Sequence, residues 1–141
     1  MADCVVDTSV ALKWILVEPD SPLADQVSHD VLSSGGILHF LDLARIEALN
    51  VIWLRLHRRL VPEPVVRAAV AKLNRSPVTI LDSTPLLGDA FDLAVQFDIA
   101  VYDACFVAAV KQLGCLGVTA DVPLVRKVGA AYPTIKLLKD W

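Results

Sequence analysis

The segment CVVDTSVALKW, residues 4–14, decides the fold of this chain. It opens with three apolar residues, Asp7 follows directly, and Thr8 and Ser9 then begin a stretch with the pattern of a helix. This order predicts a buried strand, a polar turn and a helix. Parallel sheets are built from such units, because their strands are apolar on both faces and helices connect them.

The same pattern continues along the whole chain. Short apolar or β-branched runs predict further strands at 37–40, 78–81, 99–102, 116–119 and 134–138. Between them, helices are predicted at 21–34, 42–60, 63–74, 103–113, from Ser83 onwards and from Asp121 onwards. We therefore expect an α/β fold, a three-layer α/β/α sandwich with a central parallel sheet of four to five strands.

Length and composition indicate one compact domain. The chain has 141 residues, which fits a single domain over 1–141. Hydrophobic residues make up 55% of it and charged residues 21%, so it is far from a disordered composition. No run approaches the roughly 18 apolar residues of a membrane span, and the first ten residues lack the basic start of a signal peptide. These observations predict a cytoplasmic protein that makes no membrane contact.

The cysteines argue against a cysteine-bound metal site, and the net charge argues against nucleic-acid binding over the whole surface. Cys4, Cys105 and Cys115 lie in apolar settings without metal-binding spacing, which predicts buried thiols. A net charge of −3 argues against binding nucleic acid over the whole surface. A local basic surface is compatible with the sequence, although solvated helix faces would give the same pattern. The basic residues of the middle third are Arg45, Arg55, Arg58, Arg59, Arg67, Lys72 and Arg75.

Three aspartates, Asp7, Asp103 and Asp121, each follow a predicted strand and precede a predicted helix. Ligands of parallel sheets bind at that edge, so we expect the three carboxylates to meet there. Helix capping explains any one of them, because aspartate is a favoured N-cap. Three mutually repelling carboxylates at one edge instead favour a divalent cation between them.

Glu47 supports the same hypothesis. Helical projection places it on a stripe that is predicted to face inward. The other members of this stripe are Leu43, Asn50, Val51 and Leu54. The nearest basic residue on the stripe, Arg58, lies about three turns away, so a buried Glu47 would need a metal ion. An exposed position at the helix edge is the alternative. Oxygen ligands without histidine or cysteine favour Mg²⁺ or Mn²⁺, which can activate water for attack on a phosphodiester.

Four polar residues accompany the carboxylates in the sequence. Thr8, Ser9 and Thr119 are hydroxyls beside Asp7 or Asp121, and Asn50 lies one turn after Glu47 in the predicted helix. They are candidates for positioning phosphate, the carboxylates or a metal-bound water. For the hydroxyls, capping a helix or stabilising a turn is the alternative.

Four segments together resemble the acidic signatures of PIN-domain proteins, and more narrowly those of VapC toxins from bacterial and archaeal toxin–antitoxin pairs. The segments are VVDTSVALKW at 5–14, RIEALNVI at 45–52, VYDACFVAAVKQLG at 101–114 and VTADVPLVRKV at 118–128. The resemblance covers nearly the whole chain and keeps the order of the motifs. Val122 and Pro123 depart from it, since charged residues are common at these positions in that family and no extra acidic ligand is available here.

The resemblance implies a PIN fold and an endoribonuclease that uses Mg²⁺ or Mn²⁺ to cut structured RNA. Asp7, Glu47, Asp103 and Asp121 would form the catalytic, metal-binding quartet, with Asp7 and Asp103 as direct ligands. Family resemblance also implies a homodimer and a small antitoxin whose tail enters the active site. Apolar residues for either contact, unless they pack in the core, are Leu49, Ile52, Trp53 and Leu56.

Two other functions fit the same residues. One is a non-catalytic PIN-like interaction module whose acidic pocket receives a partner's arginine-bearing peptide. The other is a PIN nuclease that processes RNA or DNA outside toxin–antitoxin systems. Four repelling carboxylates argue against the first of these, because a scaffold does not need them.

Overall fold

The computed structural model describes residues 3–141, which form five strands and seven α-helices. The strands are β1 Cys4–Val6, β2 Leu38–Leu41, β3 Thr79–Leu81, β4 Leu116–Thr119 and β5 Ile135–Leu137. The helices are α1 Thr8–Ile15, α2 Ser21–Ser33, α3 Asp42–His57, α4 Glu63–Arg75, α5 Leu87–Phe97, α6 Val101–Leu113 and α7 Val122–Val128. Short 3₁₀ helices lie at Thr84–Leu86 and Leu138–Asp140.

All five strands are parallel, in the order β3-β2-β1-β4-β5. The central strand, β1, places Cys4 opposite Leu38 of β2 and Val6 opposite Val118 of β4. Parallel neighbours need crossover connections, and the helices provide them. Every residue of β1 and β2 is buried, as expected for strands covered on both faces. The predicted α/β fold with a parallel sheet is confirmed.

Helix α6 forms much of the core. Its residues 104–110 are all buried, which is typical of a helix that is surrounded by other elements rather than lying on the surface. Gly117 of β4 lets this helix approach closely, because a Cβ atom there would lie 2.6 Å from the Val110 side chain. The three cysteines are buried and unpaired, which confirms the prediction of core thiols.

The strand predicted at 99–102 is wrong. Asp98 ends α5 in the left-handed conformation, and helix α6 begins only three residues later at Val101. A short apolar run does not distinguish a buried strand from the start of a buried helix. Asp103 consequently lies in the first turn of α6 and not after a strand, whereas Asp7 and Asp121 do follow strands.

The helices of the described residues are short. No single helix there is long and apolar enough to cross a membrane. The pair Thr84–Phe97 and Val101–Leu113, bent by 113°, satisfies the length and composition only when both parts are taken together. The second part of this pair is the core helix α6.

Substituting Gly117→Ala is expected to destabilise the protein by about 1–3 kcal/mol, because the new methyl group forces α6 and β4 apart. Urea denaturation measures the change in the free energy of unfolding. Gly88→Ala is the matched control, since a Cβ atom at this helical position meets nothing within 4 Å. It should stabilise by roughly 0.5–1 kcal/mol. Equal stability of Gly117→Ala and the parent chain would contradict the close packing.

Candidate active site

The pairing of β1 with β4 brings Asp7 and Asp121 to one edge of the sheet. Asp7 is the first residue after β1, and its N–H donates a 3.0 Å hydrogen bond to the carbonyl oxygen of Val118 in β4. Asp121 lies two residues beyond the end of β4. Since both strands are parallel, both aspartates occupy the carboxyl edge of the sheet, where ligands of such sheets bind.

Two hydroxyl groups hold the carboxylate of Asp7. Ser9 Oγ and Thr119 Oγ1 donate hydrogen bonds of 2.7 Å and 2.8 Å to the same oxygen, Oδ2. The two hydroxyl oxygens are 3.3 Å apart, and the N–H of Ala120 donates to Ser9 Oγ at 2.9 Å. Asp7 makes no side-chain capping bond to helix α1, so capping does not explain it. Ser9 and Thr119 are thus committed to orienting Asp7.

Asp121 does serve as a helix cap. Its Oδ1 accepts a 3.0 Å hydrogen bond from the N–H of Leu124 in the first turn of α7. Its own N–H donates to Thr119 Oγ1 at 3.1 Å, which links the two aspartates through one hydroxyl. The capping explanation is therefore correct for Asp121, and it occupies only one of the two carboxylate oxygens.

Charge interactions link each of the four acidic residues to at least one of the others. Burial raises the pKa of Asp7, and the charge of Asp121 adds to it. Burial raises the pKa of Glu47 to about 7, with smaller contributions from Asp7 and Asp103. The pKa of Asp103 is raised by burial and then by the charges of Asp7 and Asp121. Glu47 and Asp103, which come from α3 and α6, are therefore within electrostatic range of the strand-end aspartates.

No cation within the described residues neutralises this cluster. Every ion pair of residues 3–141 involves other acidic groups. No three side chains of Asp, Glu, His or Cys in that range converge closely enough to form a preassembled metal site. The donors themselves are carboxylate oxygens, the ligands that Mg²⁺ and Mn²⁺ prefer. The donor chemistry fits such an ion, around which the side chains would have to draw together.

The sequence predicted that Glu47 lies on the inward face of α3, but it does not lie on the buried face of this helix. The buried residues of this helix are Ala44, Ala48 and Ile52, while Glu47 is half-buried beside them. Small alanines define the inward face, because they allow α3 to pack closely. Glu47 instead lies at the rim of a cavity of about 420 Å³. Its other lining residues are Leu43, Ile46, Asn50 and Tyr102.

The remaining polar candidates differ in their surroundings. Thr8 is only 8% exposed, and its Oγ1 has no hydrogen-bond partner within the described residues. Asn50 is exposed on the cavity wall near Glu47. Sequence reasoning missed Tyr102 as a neighbour of Glu47, although it directly precedes Asp103 in its motif. The mistaken strand at 99–102 concealed this relation.

The four apolar residues predicted to contact a partner differ in how exposed they are. Ile52 is in the core and 1% exposed, whereas Leu49 is 41% and Trp53 is 53% exposed. Leu56 is half-buried against the core. The ring of Trp53 stacks on His57 with a centroid distance of 5.0 Å. Core packing thus accounts for Ile52 and not for Leu49 or Trp53.

No protein-family model matches the chain. It is 30% identical over 128 residues to Ribonuclease VapC3 of Pyrobaculum aerophilum, covering 89% of this chain and 95% of that protein. Among solved structures it resembles PAE2754 of Pyrobaculum aerophilum, with a TM-score of 0.71, 22% identity and coverage of 99% of this chain and 94% of the other. The structural similarity to PAE2754 demonstrates a shared fold.

Two further solved structures share the fold. One is VapC20 of Mycobacterium tuberculosis, a toxin that cleaves the sarcin-ricin loop, with a TM-score of 0.66, 17% identity and coverage of 88% and 94% of the two chains. The other is a chain of VapBC2 from Rickettsia felis, solved bound to a DNA fragment from their promoter. It has a TM-score of 0.63 and 14% identity, with 97% of each chain covered.

Substituting Glu47→Gln is expected to stabilise the metal-free protein, with a gain that grows as the pH rises. The folded-state pKa of Glu47, about 7, exceeds the ordinary value of 4.5. Between these values the folded chain binds more protons than the unfolded chain, so the stability contributed by Glu47 falls with rising pH. Glutamine does not ionise and escapes this loss. Thermal unfolding in EDTA at several values from roughly pH 5 to 8 measures the effect.

Glu63→Gln is the control for this series, because Glu63 is exposed and pairs with Arg67 on the surface of α4. It should give no gain that increases with pH. The same gain from Glu47→Gln at every pH would show that removal of its charge is not the cause.

Proposed function

We propose that this chain, which belongs to the VapC family of ribonucleases, is the toxin of a toxin–antitoxin pair and cleaves RNA phosphodiester bonds with Mg²⁺ or Mn²⁺. In this proposal, residues 1–141 form one PIN-like nuclease domain. Asp7, Glu47, Asp103 and Asp121 are its catalytic and metal-binding residues. One observation carries the assignment. Four carboxylates whose charges interact, two of them at the sheet edge, lack a protein cation among the described residues.

The raised pKa values explain why a cation suits this site. Bringing ionised carboxylates together costs free energy, and a divalent ion between them offsets that cost. Such an ion, when bound, lowers the pKa of a water molecule and neutralises charge on the phosphate oxygens. Asp7 and Asp103 are the proposed direct ligands, and Glu47 and Asp121 complete the acidic edge.

The chain's own residues provide the orientation that this chemistry requires. Ser9 and Thr119 hold Oδ2 of Asp7, so the carboxylate is fixed before any ligand arrives. Asp121 is fixed in the same way, since the N–H of Leu124 holds its Oδ1. Ligands held by such neighbours need little reorganisation during a reaction. Thr8 and Asn50 remain candidates for positioning phosphate or water beside them.

The negative charge of the four acidic residues and the exposed apolar residues of α3 both indicate which partners this chain would bind. An antitoxin tail with a basic side chain would pair with the uncompensated carboxylates and exclude the RNA. Leu49 and Trp53, exposed on α3, offer apolar contact to this antitoxin or to a second copy of the chain in a homodimer. Because RNA is the proposed substrate, we place the protein in the cytoplasm.

Purified protein is expected to cleave RNA only with Mg²⁺ or Mn²⁺, and EDTA should stop cleavage. Asp7→Asn should lower the rate by more than the roughly 10–100-fold that follows loss of a residue supporting a metal ligand. Gel analysis of total cellular RNA measures this. Asp92→Asn, an exposed position on α5, is the matched control and should keep the parent rate. Cleavage by Asp7→Asn in metal-free buffer would refute the mechanism.

Controlled expression followed by sequencing of RNA fragment ends would identify the substrate. Cuts at one or a few sites that appear with the parent chain and vanish with Asp7→Asn would support a specific toxin. If no RNA is cut while a basic peptide binds the acidic edge, the interaction module is the better explanation. Metal-dependent cleavage by a chain whose gene has no neighbouring short gene for a DNA-binding antitoxin would favour a processing nuclease.

A further inference from the structure

The basic residues of this acidic protein are concentrated in the α3–α4 hairpin. Seven basic and three acidic residues between positions 42 and 76 give the hairpin a net charge of +4. The six basic and thirteen acidic residues elsewhere give the rest of the chain −7. The hairpin is therefore the part of this chain that attracts polyanions.

Within the hairpin, the turn between the two helices carries the only two basic residues that are adjacent in sequence and unpaired among residues 3–141. Three further exposed basic residues of the hairpin, Arg45, Lys72 and Arg75, are also unpaired there, but each lies apart from the others in sequence. Arg55 is paired with Glu18 at 2.8 Å, and Arg67 with Glu63 at 3.1 Å. Arg58 and Arg59, by contrast, are exposed and form no ion pair or side-chain hydrogen bond within residues 3–141. We refer to residues 57–59 as the basic turn.

Arg59 has a backbone conformation that is unfavourable for a residue with a side chain. Arg59 has φ 57°, the left-handed conformation in which helices commonly end with glycine. Gly114 fills the equivalent position after α6 with φ 58°, and Asp98, a residue type that tolerates this conformation, follows α5 with φ 53°. An arginine there costs about 1 kcal/mol relative to glycine. Local backbone preference does not explain it.

The dipole of α3 accounts for part of the charge but not for Arg59. Cations in the last turn of a helix gain about 0.3–1 kcal/mol from the dipole, and Arg55 and His57 already occupy that turn. Arg59 lies beyond the last turn and in a strained conformation. A ligand for its guanidinium group would offset this cost.

We propose that the basic turn binds the phosphate backbone of the RNA substrate, away from the bond that is cut. This inference rests on the proposed function, since it concerns the same RNA. His57 lies ten positions after Glu47 on α3, which is about 15 Å along the helix axis. RNA that spans this distance would reach the acidic edge and the basic turn together.

Electrostatics favour RNA over an acidic protein segment as the occupant. The active site presents four carboxylates without a cation, on a body of charge −7, so long-range forces repel RNA from it. A basic turn on the helix that carries Glu47 supplies an opposing attraction. Two adjacent guanidinium groups also match phosphate oxygens, which they bind in a bidentate manner.

The test measures binding of fluorescein-labelled bulk transfer RNA to the full-length protein by anisotropy, at several KCl concentrations. All proteins carry Asp7→Asn so that the RNA stays intact. Arg58→Gln combined with Arg59→Gly should weaken binding on the order of tenfold. The slope of log affinity against log salt should become shallower by about one to two units, because two phosphate contacts are removed. Arg67→Gln, a paired arginine on the same hairpin, should bind like the parent.

Arg59→Gly alone separates binding from folding. Glycine relieves the left-handed conformation, so this variant should melt at a higher temperature and yet bind the RNA more weakly. Asp98→Gly, the matched control, relieves the same conformation at the end of α5 and should leave affinity unchanged. Joint loss of stability and binding in Arg59→Gly would overturn the proposal, and so would affinities and salt slopes equal to those of the parent.

The two proposals fail in distinguishable ways. Absence of cleavage by the parent chain, with binding still dependent on Arg58 and Arg59, would count against the ribonuclease alone. Metal-dependent cleavage with equal RNA affinity in every variant would count against the basic turn alone. In that second case an acidic protein segment becomes the better occupant.

Discussion

The parallel pairing of β1 with β4 is the interaction on which the rest of this structure depends. It joins an N-terminal strand to one that begins more than a hundred residues later, and it sets Val6 opposite Val118. Asp7 and Thr119 follow from this register, because each lies one residue further along its strand direction. A slip of one residue would turn the side chain of Thr119 to the other face of the sheet and break its bond to Asp7.

That pairing also explains how a stable core supports an unfavourable cluster of charge. Burial and mutual repulsion raise the pKa of Asp7, Glu47 and Asp103, so the folded state is penalised wherever they ionise. The buried strands and the buried residues 104–110 of α6 provide the opposing hydrophobic free energy. Asp103 and this buried segment belong to one helix. The element that stabilises the core thus also carries a residue that weakens it.

Local sequence was sufficient to predict a secondary-structure element where a single residue type satisfies a single requirement of the backbone. The strand predicted at 116–119 is β4, and Gly114 ends the preceding helix in the left-handed conformation, as its lack of a side chain suggests. Prediction from local sequence failed at 99–102, because the direction of the chain after α5, rather than composition, decides between strand and helix there. It also gave no sign that Arg59 would adopt a left-handed conformation.

The position of Glu47 shows why the site was only partly predictable. Its motif identifies the residue, but its environment depends on how closely α3 approaches the sheet. Ala44 and Ala48 set that distance, since one is 5% and the other 0% exposed against the core. A larger side chain at either position would move the helix outward and weaken the influence of Asp7 and Asp103 on Glu47. The pKa of Glu47 therefore depends on two alanines with no chemistry of their own, and this dependence appears only when the packing is known.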